Sequence, residues 1–423
     1  MITSPFWTDQ FPRPADLPVS TELPSHVDVA IVGSGYTGLC AARVLAKSGA
    51  SVAVLERETI GWGASSRNGG MATPGLKQGL SKIYKKYGPE KGREFWQASV
   101  DAIDLLEDIV REHAIDCDWS RSGHVALAAK ESHLSDLESY ADWIKSEFGH
   151  PMTKIPRGEI REEIGSDRFF GGISDEISGG IQPAKYVFGL SRAVSELGVK
   201  LFEGSGVESV HREGSRFRVI TGQGEVAADE VIIATNGYTD RTLPRLKPKV
   251  IPVGSYIIVT EPLSLELQDE LSPKRRMYYD SKRFINYFRL TPDGRMLWGG
   301  RNDLSVDLDL EESSAILQAQ LTAVFPQLEG VPLTHSWSGR LGVTFDLMPH
   351  IGKVDGVWYA NGYSGHGLSI ATYLGTELGL LISGQKERSP FAEIPHQTIL
   401  FYRNRPWFLP FASRYYRLLD WIN

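Results

Sequence analysis

The glycine-rich turn Gly33-x-Gly35-x-x-Gly38 constrains the fold more than any other feature of the sequence. Residues 27–32 before the turn form a short apolar run, which is typical of a buried parallel strand. Residues 36–47 after the turn are mostly small and apolar, and they predict a helix. A second strand is predicted over residues 51–56, so the whole segment is expected to form a βαβ unit.

Each glycine of this turn has a physical task in such a unit. Gly33 permits a tight turn, Gly35 lets the backbone approach a pyrophosphate, and Gly38 lets the helix pack closely on the strand. The start of the helix offers free N–H groups to phosphate. Glu56 lies twenty-three positions after Gly33, where a carboxylate accepts hydrogen bonds from a ribose diol and repels a 2′-phosphate. The turn therefore predicts a bound dinucleotide, and by itself it does not separate FAD from NAD.

The composition argues against several other functions. The 423-residue chain has a net charge of −7 and no long basic run, unlike a nucleic-acid-binding surface. Its two cysteines, Cys40 and Cys117, are too few for a disulfide framework and suit a reducing compartment. We find no secretory leader, and no run approaches the roughly 20 apolar residues that span a bilayer. We therefore expect a soluble, cytoplasmic protein that holds no metal.

Predicted elements along the chain indicate an α/β fold of two intertwined domains. One is a Rossmann-like cofactor-binding domain assembled from separate segments, and the other is an inserted mixed sheet with helices that binds substrate. The expected boundaries are residues 1–85, 150–245 and 336–400 for the first domain, residues 86–149 and 246–335 for the second, and residues 401–423 for a tail.

Local patterns support this division. The arm of residues 1–25 contains five prolines and is expected to be irregular. Residues 216–221 are predicted to form a hairpin with residues 225–228, which leads into a buried strand. Residues 250–345 predict alternating strands and one helix, over residues 311–325.

Further motifs concentrate small and polar residues, as close backbone contact with a flat cofactor requires. With these motifs the chain resembles the D-amino-acid oxidase family of FAD-dependent oxidoreductases, and within it the bacterial branch that contains γ-glutamylputrescine and L-pipecolate oxidases. The resemblance runs from about residue 27 to residue 383. The motifs are Gly63-Ala64-Ser65-Ser66-Arg67-Asn68-Gly69-Gly70, Ala234-Thr235-Asn236-Gly237-Tyr238, Thr260-Glu261-Pro262-Leu263, Tyr287-Phe288-Arg289-Leu290 and Gly362-Tyr363-Ser364-Gly365-His366-Gly367.

The resemblance implies FAD as the cofactor. In the family the first motif passes beside the ribityl chain and the isoalloxazine ring. The last motif precedes a helix whose N-terminus faces the pyrimidine end of the flavin, where the helix dipole stabilises negative charge on the reduced ring. The residues implied in FAD binding are Gly33, Ser34, Gly35, Tyr36, Thr37, Gly38, Glu56, Arg57, Gly63, Ala64, Ser65, Arg67, Asn68, Gly69, Gly70, Val207, Ala234, Thr235, Asn236, Gly237, Gly339, Gly362, Tyr363, Gly365, His366, Gly367 and Leu368.

The sequence also predicts how the cofactor is held. Some relatives link FAD to a cysteine near the C-terminal glycine motif, and others link it to a histidine just after the first motif. No cysteine follows Cys117, and no histidine lies between His26 and His113. Neither link is available, so we expect FAD to be bound non-covalently.

For the reaction, the resemblance implies oxidation of a carbon–nitrogen bond in an amine or amino acid. A hydride would pass to flavin N5, and the imine would hydrolyse or cyclise. We expect an oxidase in preference to a dehydrogenase, with O2 or a respiratory carrier as acceptor. The alternatives are a membrane-associated, quinone-linked amino-acid dehydrogenase, an NAD-linked dehydrogenase and a non-redox flavin-binding subunit.

The substrate-side residues each allow more than one interpretation. Arg289 either grips a substrate carboxylate or pairs with a structural aspartate. Tyr256 either bonds substrate or walls the pocket, and His366 either contacts the flavin, holds its own loop or acts as a base. The catalytic candidates are Tyr256, Arg289 and His366, and the substrate-binding candidates are Trp62, Arg67, Tyr256, Tyr287 and Arg289.

The C-terminal tail is aromatic and basic, with Trp407, Phe411, Arg414 and Tyr415 among its residues. Such a segment is expected either to lie on a membrane surface or to pack on its own protein or a partner. The first alternative would make the protein peripherally membrane-associated.

Overall fold

The computed structural model describes residues 1–300, 304–306, 308–399, 402 and 406–422, with side chains as far as residue 415. The helices are α1 (Phe6–Gln10), α2 (Tyr36–Lys47), α3 (Leu80–Glu112), α4 (Glu131–Phe148), α5 (Pro183–Glu196), α6 (Leu265–Leu271), α7 (Leu310–Val324), α8 (Gly367–Ile382) and α9 (Leu409–Ile422). The strands are β1 (His26–Val32), β2 (Val52–Leu55), β3 (Met71–Ala72), β4 (His124–Leu127), β5 (Thr153–Pro156), β6 (Gly171–Asp175), β7 (Gly179–Gly180), β8 (Lys200–Phe202), β9 (Val207–Glu213), β10 (Arg216–Thr221), β11 (Gly224–Ile233), β12 (Ile251–Thr260), β13 (Met277–Asp280), β14 (Tyr287–Leu290), β15 (Met296–Gly300), β16 (Leu333–Val343), β17 (His350–Val354) and β18 (Val357–Asn361).

The first sheet has the order β17-β18-β11-β1-β2-β8, and β9 and β10 extend it from β11. Its centre is parallel, because β1 runs parallel to both β2 and β11. These strands are short and apolar on both faces, as expected where a sheet is covered on both sides. The predicted βαβ unit is present, and the predicted hairpin joins β10 to β11.

The second sheet has the order β16-β12-β15-β14-β13-β4-β6-β5 and is mixed, since β13 and β4 run parallel while the other pairs are antiparallel. The mixed α/β architecture with two sheets is therefore the expected one. Strands β5 and β6 and most of β16 lie in segments that were expected to belong to the first domain. All three nevertheless pair in this second sheet. Strand β16 pairs with β12 along almost its whole length, from Val343 opposite Ile251 to Leu333 opposite Thr260.

Helices α2 and α8 pack closely against one side of the first sheet. The contact depends on two glycines of α8, because a Cβ on Gly375 would run into the backbone of Thr37, and one on Gly379 would meet Val44. A hydrogen bond of 2.6 Å also joins the hydroxyls of Thr37 and Tyr363. The start of α2 consequently lies against the middle of α8.

Two local predictions need correction. The N-terminal arm contains the short helix α1, whose Phe6 and Trp7 are buried in the main core. Their burial explains why an arm rich in proline is nevertheless ordered. The region of residues 250–345 contains α6 besides α7, and Ser264 caps α6 by accepting the N–H of Leu267. None of the described helices is both long and apolar enough to cross a membrane.

Candidate functional site

A cavity of ≈ 360 Å³ lies where the loops of the first sheet meet a face of the second. A volume of this order is typical of pockets that bind small molecules and cofactors. The starts of α2 and α8 both contribute to its wall, with Tyr36 and Thr37 from one helix and Gly367 and Leu368 from the other.

The glycine turn forms one end of this cavity. Gly33 has φ +103°, in the region that favours glycine, and lies against the carbonyl of Ala234. A Cβ on Gly35 would stand 2.9 Å from the hydroxyl oxygen of Ser65, and one on Gly38 would collide with the carbonyl oxygen of Gly33. Gly33 thus permits the tight turn and Gly38 the close packing that their spacing predicts, and Gly35 lies in the cavity wall. Gly38 acts from behind the wall and does not line the cavity.

The predicted acidic residue stands beside the turn. The Oε2 atom of Glu56 accepts the N–H of Ser34 at 2.9 Å and its hydroxyl at 2.7 Å. Its Oε1 atom accepts the N–H of Glu58 at 3.0 Å, which leaves acceptor capacity toward the cavity. The hydroxyl of Ser34 in turn accepts the N–H of Gly61, so one serine ties the turn, the carboxylate and the following loop together.

The loop of residues 63–70 is held by the side chain of Asn68. Its amide donates to the carbonyls of Ala64 and Ser65, and its Oδ1 accepts the N–H of Gly70 at 2.8 Å. From the N-terminal arm, the indole of Trp7 donates to the carbonyl of Asn68 at 2.7 Å. The buried arm therefore clamps the loop that is expected to touch the flavin.

Arg67 projects from this loop into the cavity wall. Its Nε donates to the carbonyl of Trp62 at 2.8 Å, and its guanidinium lies 4.5 Å from the centre of the Trp62 ring. Burial lowers the pKa of Arg67 below its usual range. Trp62 is 38% exposed and packs edge-on against Tyr238, so it forms part of the rim.

The C-terminal glycine loop closes the opposite side. Gly362, at φ +87°, donates its N–H to Oδ1 of Asn236 at 3.1 Å. Ser364 donates its N–H to the carbonyl of Gly342 on β16 at 3.0 Å. Helix α8 follows at once with His366 as its N-cap. The N-cap residues Gly35 and His366 provide no side-chain cap, although the hydroxyl of Ser65 accepts the N–H of Tyr36 at the start of α2 at 3.1 Å. The positive ends of both helix dipoles are therefore directed at the cavity.

The second sheet supplies a wall of side chains. Ser255, Tyr279, Ile285 and Tyr287 line it, and the hydroxyls of Ser255 and Tyr287 are 3.2 Å apart. Tyr279 stacks on His124, and burial raises the pKa of Tyr279 above its usual range. Sequence reasoning missed Tyr279, although its pairing opposite Tyr287 places both tyrosines on one face.

Residues after β3 face this wall, and they include Met71, Thr73, Pro74 and Lys77. Lys77 was also missed in the sequence, because it belongs to no recognisable motif. Its side chain brings a cation to the cavity lining.

Arg289 is placed differently from both expectations. Its guanidinium donates to the carbonyl of Gly70 at 2.9 Å and to that of Ile181 at 2.6 Å, and it lies 5.4 Å from the ring of Trp7. It neither lines the cavity nor pairs with an aspartate in the described structure. Burial lowers the pKa of Arg289 to about 10. Arg289 supports the end of the loop of residues 63–70 from behind the cavity wall.

Tyr256 also points away from the cavity. Its side chain is buried in the core of the second sheet, where its hydroxyl donates to the carbonyl of Ser305 at 2.9 Å and accepts the N–H of Leu308 at 3.0 Å. Strand alternation explains the placement, since the neighbouring Ser255 is the residue that reaches the cavity.

The structure brings most of the remaining candidates together. Six candidates do not line the cavity, namely Gly38, Gly70, Gly237, Gly362, Tyr256 and Arg289. The candidates that do line it are Gly33, Ser34, Gly35, Tyr36, Thr37, Glu56, Arg57, Trp62, Gly63, Ala64, Ser65, Arg67, Asn68, Gly69, Val207, Ala234, Thr235, Asn236, Tyr287, Gly339, Tyr363, Gly365, His366, Gly367 and Leu368.

The cavity suits a dinucleotide that carries a flat ring. The turn and the start of α2 are suited to a pyrophosphate, and Glu56 is suited to a ribose. The close backbone of residues 63–70 and the start of α8 suit a ring that becomes negatively charged on reduction. Both cysteines are free and buried.

Comparison with known proteins agrees with this geometry. A profile of the FAD-dependent oxidoreductase family, DAO, matches residues 28–379. The chain is 34% identical over 370 residues to the probable oxidoreductase OrdL of Haemophilus influenzae, covering 86% of this chain and 84% of that protein. It is 33% identical over 399 residues to the gamma-glutamylputrescine oxidoreductase of Escherichia coli, covering 93% and 92%.

The fold is similar to that of solved structures as well. The crystal structure of glycine oxidase from Geobacillus kaustophilus superposes with a TM-score of 0.75 at 23% identity, covering 88% of this chain and 100% of that one. The L-proline dehydrogenase structure from P. horikoshii gives a TM-score of 0.71 at 21% identity, covering 86% and 95%.

Proposed function

The chain belongs to the DAO family of FAD-dependent oxidoreductases, and from that premise we propose that it oxidises the carbon–nitrogen bond of a small amine or amino acid. The observation that carries this proposal is the meeting of two walls in one cavity. A backbone cradle suited to a dinucleotide faces a wall of side chains, Tyr279, Tyr287 and Ser255, and Lys77 lines the same cavity. The relationship to gamma-glutamylputrescine oxidoreductase, over nearly the full length of both chains, supports an amine as the substrate.

The reaction follows from the chemistry that such a cavity favours. When bound, FAD supplies the acceptor for the hydride that leaves the carbon next to the amine nitrogen. The nitrogen lone pair forms the new C=N bond, and water hydrolyses the resulting imine or a second amine of the substrate attacks it. The amine must be neutral to donate its lone pair, and a wall that excludes water lowers the pKa of the ammonium group.

The protein supports this step in two ways. The start of α8 directs its positive end at the cavity, so negative charge that develops there is stabilised. The side chains of the second sheet orient the substrate against the cofactor cradle. We assign substrate contact to Tyr287, Tyr279 and Lys77, and we assign no such role to Arg289 or Tyr256.

We further propose that FAD is held non-covalently and that O2 serves as the acceptor in preference to a carrier. The sequence offers neither the cysteine nor the histidine that would form the known kinds of link. Denaturation in acid should release all the yellow colour into the supernatant. Colour that remains on the precipitated protein would overturn the non-covalent assignment.

An anaerobic titration of the purified protein tests the substrate. We expect the visible flavin absorption to bleach with one of γ-glutamylputrescine, simple diamines, glycine or L-proline, and readmitted air to restore it. A protein without flavin absorption would favour an NAD-linked dehydrogenase. A yellow protein that no amine bleaches would leave the family assignment intact and overturn the proposed substrate class. If air does not restore the bleached absorption, the electron acceptor is a carrier and not O2.

A further inference from the structure

Helix α9 is docked on the protein through one of its faces. Phe408, Leu409 and Ala412 pack into a small apolar cluster with Ile251 and Val253 at the start of β12. The hydroxyl of Ser413 accepts the N–H of Leu304 at 3.1 Å, which fixes the rotation of the helix. This docking agrees with one of the alternatives expected for the tail, namely that it packs on its own protein.

The opposite side of this segment presents large aromatic side chains to solvent. Trp407, in the turn just before α9, is 62% exposed, Phe411 is 65% exposed and Tyr415 is 58% exposed. Their spacing of four residues places them along one side of the helix. We call these three residues the aromatic face of α9. Ile399, 49% exposed, adds to the apolar surface contributed by the same C-terminal region.

The charge of this segment is opposite to that of the whole chain. Residues 394–423 include four arginines and one acidic residue, Asp420, whereas the chain has a net charge of −7. Arg414 is exposed and lies next to Tyr415. Arg403, Arg405 and the side chains of Tyr416 and Arg417 lie outside the described residues, so their contribution is taken from the sequence alone. The combination of aromatic and basic residues is the one that anionic membrane surfaces attract.

A second copy of the chain fits this surface less well than a membrane does. A symmetric pair formed through this surface would bring the two copies of the exposed Arg414 toward each other, and like charges repel. Trp and Tyr side chains place an apolar ring and a polar edge at the headgroup level of a bilayer, and arginine side chains reach phosphate there.

We propose that the aromatic face of α9 binds the surface of an anionic lipid bilayer and holds the enzyme there as a peripheral protein. The proposal concerns a surface outside the cavity and does not rest on the substrate assignment. Docking by Phe408, Leu409 and Ala412 presents the face in a fixed orientation, so little ordering is required on binding.

Sedimentation of the full-length holoenzyme with vesicles tests the proposal. We expect binding to vesicles of phosphatidylcholine with phosphatidylglycerol, and much weaker binding to phosphatidylcholine alone. The triple variant Trp407→Ser, Phe411→Ser, Tyr415→Ser should bind at least about tenfold more weakly, because it loses most of the apolar contact. A matched control, Leu265→Ser with Ile316→Ser, removes exposed apolar residues elsewhere and should leave binding unchanged.

A second variant separates charge from folding. Arg414→Gln should weaken binding about fivefold, and added salt should weaken the wild type similarly. The visible flavin spectrum and the melting temperature report whether each variant is folded. Absence of binding by the wild type, or equal binding by the wild type and a folded triple variant, would overturn the proposal. A concentration-dependent dimer that the triple variant abolishes would assign the face to a second copy instead and would also overturn it.

Discussion

The two walls of the cavity are built from different parts of the chain. The cofactor wall consists mainly of backbone, at turns and helix starts where a glycine such as Gly33 or Gly35 allows close approach. The substrate wall consists of side chains such as Tyr279 and Tyr287, which project from paired strands. Backbone cannot move to accept an added atom, whereas side chains can be exchanged for others of similar volume. The cofactor wall should therefore tolerate little change, and the substrate wall should determine selectivity.

The largest effect is expected from adding one methyl group directly behind the cofactor wall. Gly38→Ala places a Cβ against the carbonyl oxygen of Gly33, so the strand and α2 must separate. We expect the purified variant to lose FAD or to bind it more than tenfold more weakly, as measured by flavin absorption per protein. Gly79→Ala is the matched control, because its Cβ would meet nothing within 4 Å. Full FAD content in Gly38→Ala would show that the wall is not rigid.

The next largest effect is expected at Arg289, which lies on β14 of the second sheet and donates to the carbonyl of Gly70, behind the cofactor wall. Arg289→Ala leaves the carbonyl of Ile181 without its donor, while the carbonyl of Gly70 keeps the N–H of Ile181. A buried group left unpaired costs about 1–3 kcal/mol. We expect a lower melting temperature and weaker FAD binding. The relative KM values of carboxylate-bearing and carboxylate-free substrates should not change. A selective loss of carboxylate substrates would place Arg289 in the substrate wall after all.

A smaller effect, confined to the substrate wall, is expected at Lys77. Lys77→Met removes an ammonium group from the cavity lining, and KM for substrates with an anionic group should rise about tenfold. FAD content and the melting temperature should stay at their wild-type values. Lys82→Met, on the exposed side of α3, is the control. Unchanged steady-state kinetics in Lys77→Met would remove the residue from the proposed substrate contacts.

An effect on stability, separate from cofactor and substrate binding, should be shared by the two walls. Burial lowers the pKa of His124, under Tyr279, to about 4, and it lowers the pKa of His396, behind the cofactor wall, to about 3. Both are neutral when folded, while the unfolded chain binds protons below about pH 6.5. The free energy of unfolding should therefore fall as the pH drops from about 6.5 toward 4, by up to about 1.4 kcal/mol per pH unit for each histidine.

Urea unfolding at a series of pH values measures this slope. We expect His124→Gln and His396→Gln each to reduce the slope by a similar amount. His211→Gln, on the exposed strand β9, should leave it unchanged. If only one of these two variants reduces the pH dependence of the free energy of unfolding, the loss of stability in acid comes from that histidine alone and is not shared by the two walls.

The contrast between the cofactor wall and the substrate wall also explains which parts of the site could be predicted from the sequence. The glycine turn, Glu56 and helix α2 were predictable because their tasks depend on neighbours within some twenty-five residues. The position of Arg289 was not, because its acceptors Gly70 and Ile181 are 219 and 108 residues away along the chain. Lys77 and Tyr279 were missed for the same reason, since only the pairing of distant strands and loops brings them to one wall.

The sharing of β16 between the two walls has a consequence for turnover. This strand forms the edge of the second sheet along β12, and its residues Gly339, Arg340, Leu341 and Gly342 also line the cofactor side of the cavity. A hinge that swung the second sheet open would have to pull β16 away from the loop around Ser364. We therefore expect substrate and product to exchange through side-chain motion at the rim near Trp62. The walls would then keep their spacing throughout the catalytic cycle.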